Sequence, residues 1–248
     1  MKQCDAIVIS NKKVAFNVYE MILEGDFGLT EDFAGQFVQV QVPESSAYLR
    51  RPFSITDYRN GQLVLVYRIE GRGTLALRGC KPKDTLNVLS PLGHPFPIHP
   101  NQKVALIGGG IGVVPLYGLN KRLVEMGCQV HSYLGYQDAA SVIYKDEFEA
   151  LSDLTITTLD GSVGQKGNVL DSVDVSDIDV IYACGPHGLL KAIQETYPDK
   201  TVYLSLEARM ACGFGVCNAC VCRKQTDTEE TFLICKDGPV FNGKDVIL

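Results

Sequence analysis

The run Ala211-Cys212-Gly213-Phe214-Gly215-Val216-Cys217-Asn218-Ala219-Cys220-Val221-Cys222 is dense in thiols, and Cys235 follows it. Cys212, Cys217, Cys220 and Cys235 are separated by four, two and fourteen residues. A C-x4-C-x2-C run with a further cysteine downstream is the ligand spacing of plant-type [2Fe-2S] centres. Such a centre draws three thiolates from one tight loop and a fourth from a returning segment. Gly213 and Gly215 give that loop access to positive φ and let backbone amides turn toward sulfur. Other uses of cysteine compete. Structural zinc favours paired Cys-x-x-Cys knuckles, whereas the first gap here is four. Disulfides belong to oxidising compartments, and the sequence shows no secretory leader. Scattered buried thiols are common, but these are not scattered. The spacing favours iron and sulfide over zinc. Cys222 is a fifth thiol that only a slipped register would bring into the set.

Two polar clusters lie further upstream. In Arg50-Arg51-Pro52-Phe53-Ser54-Ile55, Pro52 biases Arg51 toward extended backbone, which suits a guanidinium forking onto a phosphate. In Tyr67-Arg68-Ile69-Glu70-Gly71-Arg72-Gly73-Thr74, a strand runs into glycines and a threonine that can expose amides to a diphosphate. Either cluster alone reads equally as a strand end and a turn. A third feature is Gly108-Gly109-Gly110-Ile111-Gly112-Val113-Val114-Pro115, which follows the apolar run Lys103 to Ile107 and opens a helical pattern ending at Gly127. Strand, glycine turn and helix is the setting in which backbone amides bind a diphosphate, although the strict G-x-G-x-x-G pattern is not met. Cys184-Gly185-Pro186 ends a later strand-like run, where a lone cysteine would ordinarily be a buried thiol.

These features need elements to hold them. Short runs at Ala6 to Ser10, Ala15 to Leu23, Gln36 to Val42, Gln62 to Ile69 and Thr85 to Leu89 alternate with turn residues, a pattern of closely spaced strands in an antiparallel barrel. From residue 99 the period changes. Strand-like runs at Lys103 to Ile107, Gln129 to Gly135, Leu154 to Leu159, Asp179 to Ala183 and Thr201 to Leu204 alternate with helical stretches such as Lys145 to Leu151 and Leu189 to Thr196, which predicts an open parallel sheet. The expected organisation is a β-barrel domain over 1–98, an α/β nucleotide-binding domain over 99–205 and a small cluster module over 206–248. In the last, Gln225 to Thr231 reads as an exposed hairpin or loop, and the short gap before Cys235 suggests a module that depends on its metal to fold.

Composition narrows the functional classes. The chain has 248 residues, 46% of them hydrophobic, enough for two compact domains and a module. Its net charge of −6, with no basic run, argues against nucleic acid or an anionic membrane as partner. No segment approaches a membrane span in length, and an odd set of nine cysteines suits a reducing cytoplasm.

Arg51-Pro52-Phe53-Ser54 resembles the Arg-x-aromatic-Ser flavin motif of the ferredoxin–NADP reductase superfamily. The resemblance implies that Arg51 contacts the FAD diphosphate, with Pro52 and Phe53 in the motif and Ser54 near the reactive edge of the isoalloxazine. It implies Arg68, Ile69 and Glu70 along the ribityl and ring, and Gly73 and Thr74 at the diphosphate. Gly109, Gly110 and Gly112 in Gly-Gly-x-Gly-x-x-Pro are similar to the superfamily's pyridine-nucleotide loop, and Cys184, Gly185 and Pro186 to its Cys-Gly-Pro beside the nicotinamide. Gly135-Tyr136-Gln137-Asp138 carries no basic residue for a 2′-phosphate, which favours NADH over NADPH. Asp138 there is either a ribose ligand or a helix N-cap.

The order barrel, nucleotide domain and cluster narrows the resemblance. So do Glu207-Ala208-Arg209-Met210-Ala211-Cys212 and the Cys235-Lys236-Asp237-Gly238-Pro239-Val240-Phe241 ending. Together they are similar, over essentially the whole chain, to the electron-transfer subunits of two-subunit, NAD-dependent dihydroorotate dehydrogenases. That family implies FAD, a [2Fe-2S] cluster and NAD(H) as substrate. It also implies an FMN-containing catalytic partner subunit in a heterotetramer that serves pyrimidine synthesis. A reductase subunit of a hydrogenase or ferredoxin-linked complex is the alternative within the superfamily. A zinc-stapled binding module is the alternative outside it.

Overall fold

The protein is described here from a computed structural model covering residues 1–43, 47–227 and 229–248. The first unit contains β1 (Lys2–Ala15), β2 (Val18–Glu24), β3 (Phe37–Val40), β4 (Arg51–Ser54), β5 (Asp57–Arg59) and β6 (Gln62–Arg68), followed by α1 (Arg72–Arg78) and β7 (Thr85–Leu92). The strands form one antiparallel sheet in the order β4-β3-β7-β1-β2-β6-β5. The sheet curls until β4 approaches β6, making a half-barrel. The period of two in β1 buries Ala6 and Val8 and exposes Ile7 and Ile9. Met21, Leu23, Val38, Val40, Leu65 and Val88 complete that interior.

Two details depart from the expected strands. The run Ala15 to Leu23 is not one strand: the chain turns at Phe16-Asn17, with Asn17 at φ 57°, so that β1 and β2 form a hairpin. The glycines after β6 begin a helix, α1, rather than a simple turn.

The second unit contains β8 (Lys103–Gly109), α2 (Val113–Glu125), β9 (Gln129–Tyr136), α3 (Lys145–Glu149), β10 (Asp153–Thr158), β11 (Gln165–Lys166), β12 (Val180–Cys184), α4 (His187–Thr196) and β13 (Thr201–Ser205). All neighbours among these strands are parallel. Val104, Ala105, Leu106 and Ile107 are fully buried, as a strand covered on both faces requires. The strand order β11-β10-β9-β8-β12-β13 reverses direction between β8 and β12. Their C-terminal ends therefore open the crevice where ligands collect in such sheets.

The third unit holds the cysteine loop, then β14 (Val221–Lys224), β15 (Thr231–Leu233), α5 (Ile234–Asp237), β16 (Val240–Asn242) and β17 (Val246–Ile247). β14 and β15 form the hairpin expected over Gln225 to Thr231, of which Thr228 lies outside the described residues. β16 leaves this unit and pairs antiparallel with β13, so the second sheet is completed by residues beyond 205. One apolar cluster then joins Phe37 and Leu92 of the half-barrel, Ile107, Ala183 and Leu204 of the parallel sheet, and Cys220, Cys235, Phe241 and Val246. Among the described residues no helix is long and apolar enough to cross a membrane.

Candidate functional site

A cavity of about 740 Å³ opens where the three units meet. Strand β4 contributes Arg51, Pro52, Phe53 and Ser54, and the segment from β6 into α1 contributes Arg68, Glu70 and Thr74. Ile111 and Val114 come from the glycine turn and α2, and Ser205 to Met210 form the approach to the cysteines. Ile69 and Gly73 do not line it. Gly73 acts one step back, because a Cβ there would stand 2.5 Å from Arg51 Nε. The bare glycine lets the guanidinium cross α1 toward the cavity. Arg51 Nη1 donates to the Leu49 carbonyl at 2.5 Å, and Arg68 forms an ion pair with Glu70. Thr74 Oγ1 accepts from the Glu70 and Gly71 amides at 3.0 and 3.2 Å and closes the turn. An arginine, hydroxyls and an aromatic wall of Phe53 and Tyr67, 5.6 Å apart, match the mixed polarity of a flavin and its diphosphate. Glu207, which the sequence offered only as a lead-in to the cysteines, also lines this cavity. Its side chain remains exposed at the cavity edge, but desolvation by the surrounding wall raises its carboxyl pKa and the Glu70 carboxylate raises it further, against a smaller opposing pull from Arg68.

The glycine turn and the Cys184-Gly185-Pro186 turn touch at the switch point. A Cβ on Gly112 would lie 2.5 Å from Gly185 Cα and 2.6 Å from the Cys184 carbonyl, and one on Gly109 would lie 2.7 Å from Leu189 Cδ2. Gly110 differs: it has φ +56° and nothing within 4 Å of its Cβ position. Gly109, Gly112 and Gly185 thus hold two turns together, while Gly110 shapes the open side. Among the described residues no side chain caps the N-terminus of α2; a 3-10 turn over Gly110–Gly112 leads into it, and the Val113 amide donates to the Gly110 and Ile111 carbonyls. Cys184 is fully buried, and burial pushes its thiol pKa up; in the sheet it pairs with Ser205, one of the residues that line the cavity. Asp138 takes the capping role: it accepts from Ser141 N at 3.0 Å and begins a short 3-10 turn.

In the cysteine loop, Gly213 and Gly215 adopt φ +81° and +87°. The Val216 and Cys217 amides thereby point at Cys212 Sγ, 3.4 and 3.5 Å away. Burial alone would raise the Cys212 thiol, but amides from Phe214, Cys217 and Val216 outweigh it and bring the pKa down to about 6. Cys235 N donates to Cys220 Sγ at 3.4 Å from the start of α5. The Cys235 thiol is pushed up to about 12, first by burial and then by Cys220. Cys212 thus stands with Cys217 and Cys220 with Cys235. Among the described residues no three such side chains are already gathered into a metal cage. Cys222 faces away, with its Sγ 3.9 Å from the Ile247 carbonyl. Gln39 presses on the loop from β3: it is fully buried, and neither amide atom has a hydrogen-bond partner among the described residues. Four thiols, inward-turned amides and an unpaired buried donor fit an electron-rich sulfur cluster. The sequence concealed Gln39 because its alternation with Val38 and Val40 reads as a solvent-facing polar position.

Known proteins supply the remaining comparison. Residues 207–247 match the model of the iron–sulfur cluster binding domain of dihydroorotate dehydrogenase B, and residues 106–195 match the oxidoreductase NAD-binding domain. A dihydroorotate dehydrogenase B (NAD(+)) electron transfer subunit from Geobacillus sp. is 44% identical, with 100% of both chains covered. The subunit of the same name from Bacillus pumilus is 42% identical over 100% of this chain and 99% of the relative. The chain belongs to this family of electron transfer subunits. A solved structure of NADH-dependent reduced ferredoxin–NADP oxidoreductase, described in connection with flavin-based electron bifurcation, overlays with a TM-score of 0.85. It is 29% identical and covers 98% of this chain and 89% of its own. A flavohemoglobin from Malassezia yamatoensis overlays at TM-score 0.71 and 17% identity, covering 80% of this chain and 57% of its own, a likeness of fold. Within the family frame, the cysteine loop falls in the iron–sulfur domain and the glycine turn in the NAD-binding domain.

Proposed function

We propose that the chain relays electrons between NADH and an FMN-containing dihydroorotate dehydrogenase catalytic subunit, by way of FAD in the central cavity and a [2Fe-2S] cluster at the cysteine loop. The observation that carries this reading is the cavity itself, whose wall is shared by the Arg51–Ser54 strand, the glycine turn and the segment leading into the cysteines. When bound, FAD takes the two electrons of a hydride and the cluster passes electrons singly. Arg51 and Thr74 hold the diphosphate end, with Gly73 giving the arginine its passage. Pro52, Phe53, Arg68, Ile69 and Glu70 flank the flavin, and Ser54 stands toward its reactive edge. Gly109, Gly110 and Gly112 bring backbone amides to the NADH diphosphate, and Cys184, Gly185 and Pro186 form the opposite lip for the nicotinamide. Cys212, Cys217, Cys220 and Cys235 supply the thiolates.

The exposed flank of the cysteine loop, with Val216 73% and Phe214 42% exposed, supports an outlet toward the partner subunit. A heterotetramer of two subunits of each kind, in the cytoplasm, accords with this reading. The protein is to be purified with its partner and assayed for flavin, iron and sulfide, with the visible spectrum recorded before and after NADH. FAD and bleachable [2Fe-2S] absorbance are expected. Zinc without flavin would sink the proposal, and co-purification with a ferredoxin-reducing flavoprotein would redirect it to the other branch of the superfamily.

A further inference from the structure

Strand β3 has two working faces. Val38 and Val40 fill the half-barrel, whereas Phe37 packs in the apolar cluster that contains Cys220 and Cys235. Gln39 lies on the same side of the strand as Phe37. Its backbone pairs with Pro52 of β4 on one side and Leu89 of β7 on the other. Its side chain is 0% exposed, with both amide atoms unpaired among the described residues. Leaving such a group unpaired costs about 1–3 kcal/mol, which calls for a partner that the described residues do not supply. The amide is packed against the cysteine loop: a Cβ on Gly213 would come 2.4 Å from Gln39 Nε2. Gly213 directly follows Cys212, so only a glycine with φ +81° admits the amide here.

We propose that the Gln39 amide donates a hydrogen bond to a sulfur of the [2Fe-2S] cluster and thereby raises its reduction potential. This rests on the proposed cluster in the cysteine loop. The reduced cluster carries one more negative charge than the oxidised one, so an N–H donor stabilises it more. Gln39 is also the cross-strand neighbour of Pro52, which sets this donor between the flavin strand and the cysteine loop. It is a positioning and tuning residue, which places its effect on the potential rather than on assembly.

The test is Gln39→Met in the full chain with its partner. Methionine keeps the length and apolar fit and removes the donor. Redox titration followed by electron paramagnetic resonance should find normal iron and sulfide content. At a fixed ambient potential the reduced-to-oxidised ratio should be about tenfold lower, equivalent to a midpoint about 59 mV more negative. In wild-type protein labelled with 15N in glutamine side chains, the reduced cluster should show a nitrogen hyperfine coupling that Gln39→Met abolishes. If the variant does not hold its cluster, that wild-type coupling still decides: its presence supports the hydrogen bond and its absence overturns it. A full cluster with an unchanged midpoint overturns the assignment of Gln39 alone. Wild-type protein that carries zinc and no iron overturns the cluster reading together with it.

Discussion

At the scale of single residues, the two cysteines nearest each other in sequence have opposite surroundings. Cys220 is 2% exposed and its sulfur accepts the Cys235 amide, whereas Cys222 points toward the Ile247 carbonyl. Cys220→Ser is expected to lose iron and sulfide, and Cys222→Ser to retain both along with the visible spectrum. The reverse result would show that the register of the loop has slipped. Glu207 makes a different prediction. Its side chain stays exposed at the cavity edge, yet desolvation by the surrounding wall and the Glu70 carboxylate raise its folded-state pKa, so the folded protein binds this proton more tightly than the unfolded chain does. That contribution is fully present below the unfolded value of about 4.3 and is lost as pH rises through the raised folded value. Glu207→Gln should therefore gain thermal stability relative to wild type as pH rises through this window. A difference in unfolding temperature that stays flat with pH would contradict the raised pKa.

At the scale of elements, the glycine turn separates packing from conformation. Ala at position 112 would press its Cβ onto Gly185 and the Cys184 carbonyl, and overpacking of this kind costs about 1–3 kcal/mol. Ala at position 110 meets open space but must hold φ +56°, a left-handed strain of about 1–2 kcal/mol. Gly112→Ala is thus expected to lower the unfolding temperature and raise the KM for NADH together, by parting the two turns. Gly110→Ala should raise the KM out of proportion to its thermal effect, since its Cβ enters the side left open for the nucleotide. Equal ratios of the two effects in both variants would refute the distinction. The turn was legible in the sequence because a continuous buried run precedes it and a helical period follows it. Helix α1 was not: Arg72 to Arg78 is too short for a period to emerge, and the glycines at its start, Gly71 and Gly73, read as a turn. The gap left between the expected runs Ala6 to Ser10 and Ala15 to Leu23 is likewise no gap, because β1 continues through Asn11, Lys12 and Lys13 as the outer arm of its hairpin with β2. Local sequence records the residues a site needs, whereas Gln39 and β16 take their meaning from segments that the fold brings beside them.

At the scale of the whole molecule, the cysteine unit is not an appendage. Strand β16 extends the parallel sheet beside β13, and the Leu206 amide donates to the Pro239 carbonyl at 2.9 Å. The His94 amide donates to the Gly238 carbonyl at 2.7 Å and ties the end of the half-barrel to the same segment. With Cys220, Cys235, Phe241 and Val246 in one apolar cluster with residues of both larger units, loosening the loop withdraws support from all three. A metal bound to the folded state alone adds its binding free energy to the stability of whatever unfolds with it. Chelation of the cluster is therefore expected to shift a single cooperative transition rather than release an early one from residues 206–248. For a chain of this size each kcal/mol lost lowers the unfolding temperature by about 2–4 °C, so a loss of ~4 kcal/mol corresponds to about 8–16 °C. Calorimetry with flavin fluorescence recorded in parallel measures this directly. The fluorescence change, which reports the half-barrel, should move down with the calorimetric peak. A flavin transition that stays in place while a new low-temperature peak appears would show that the third unit melts alone and that the shared core does not couple it to the flavin site.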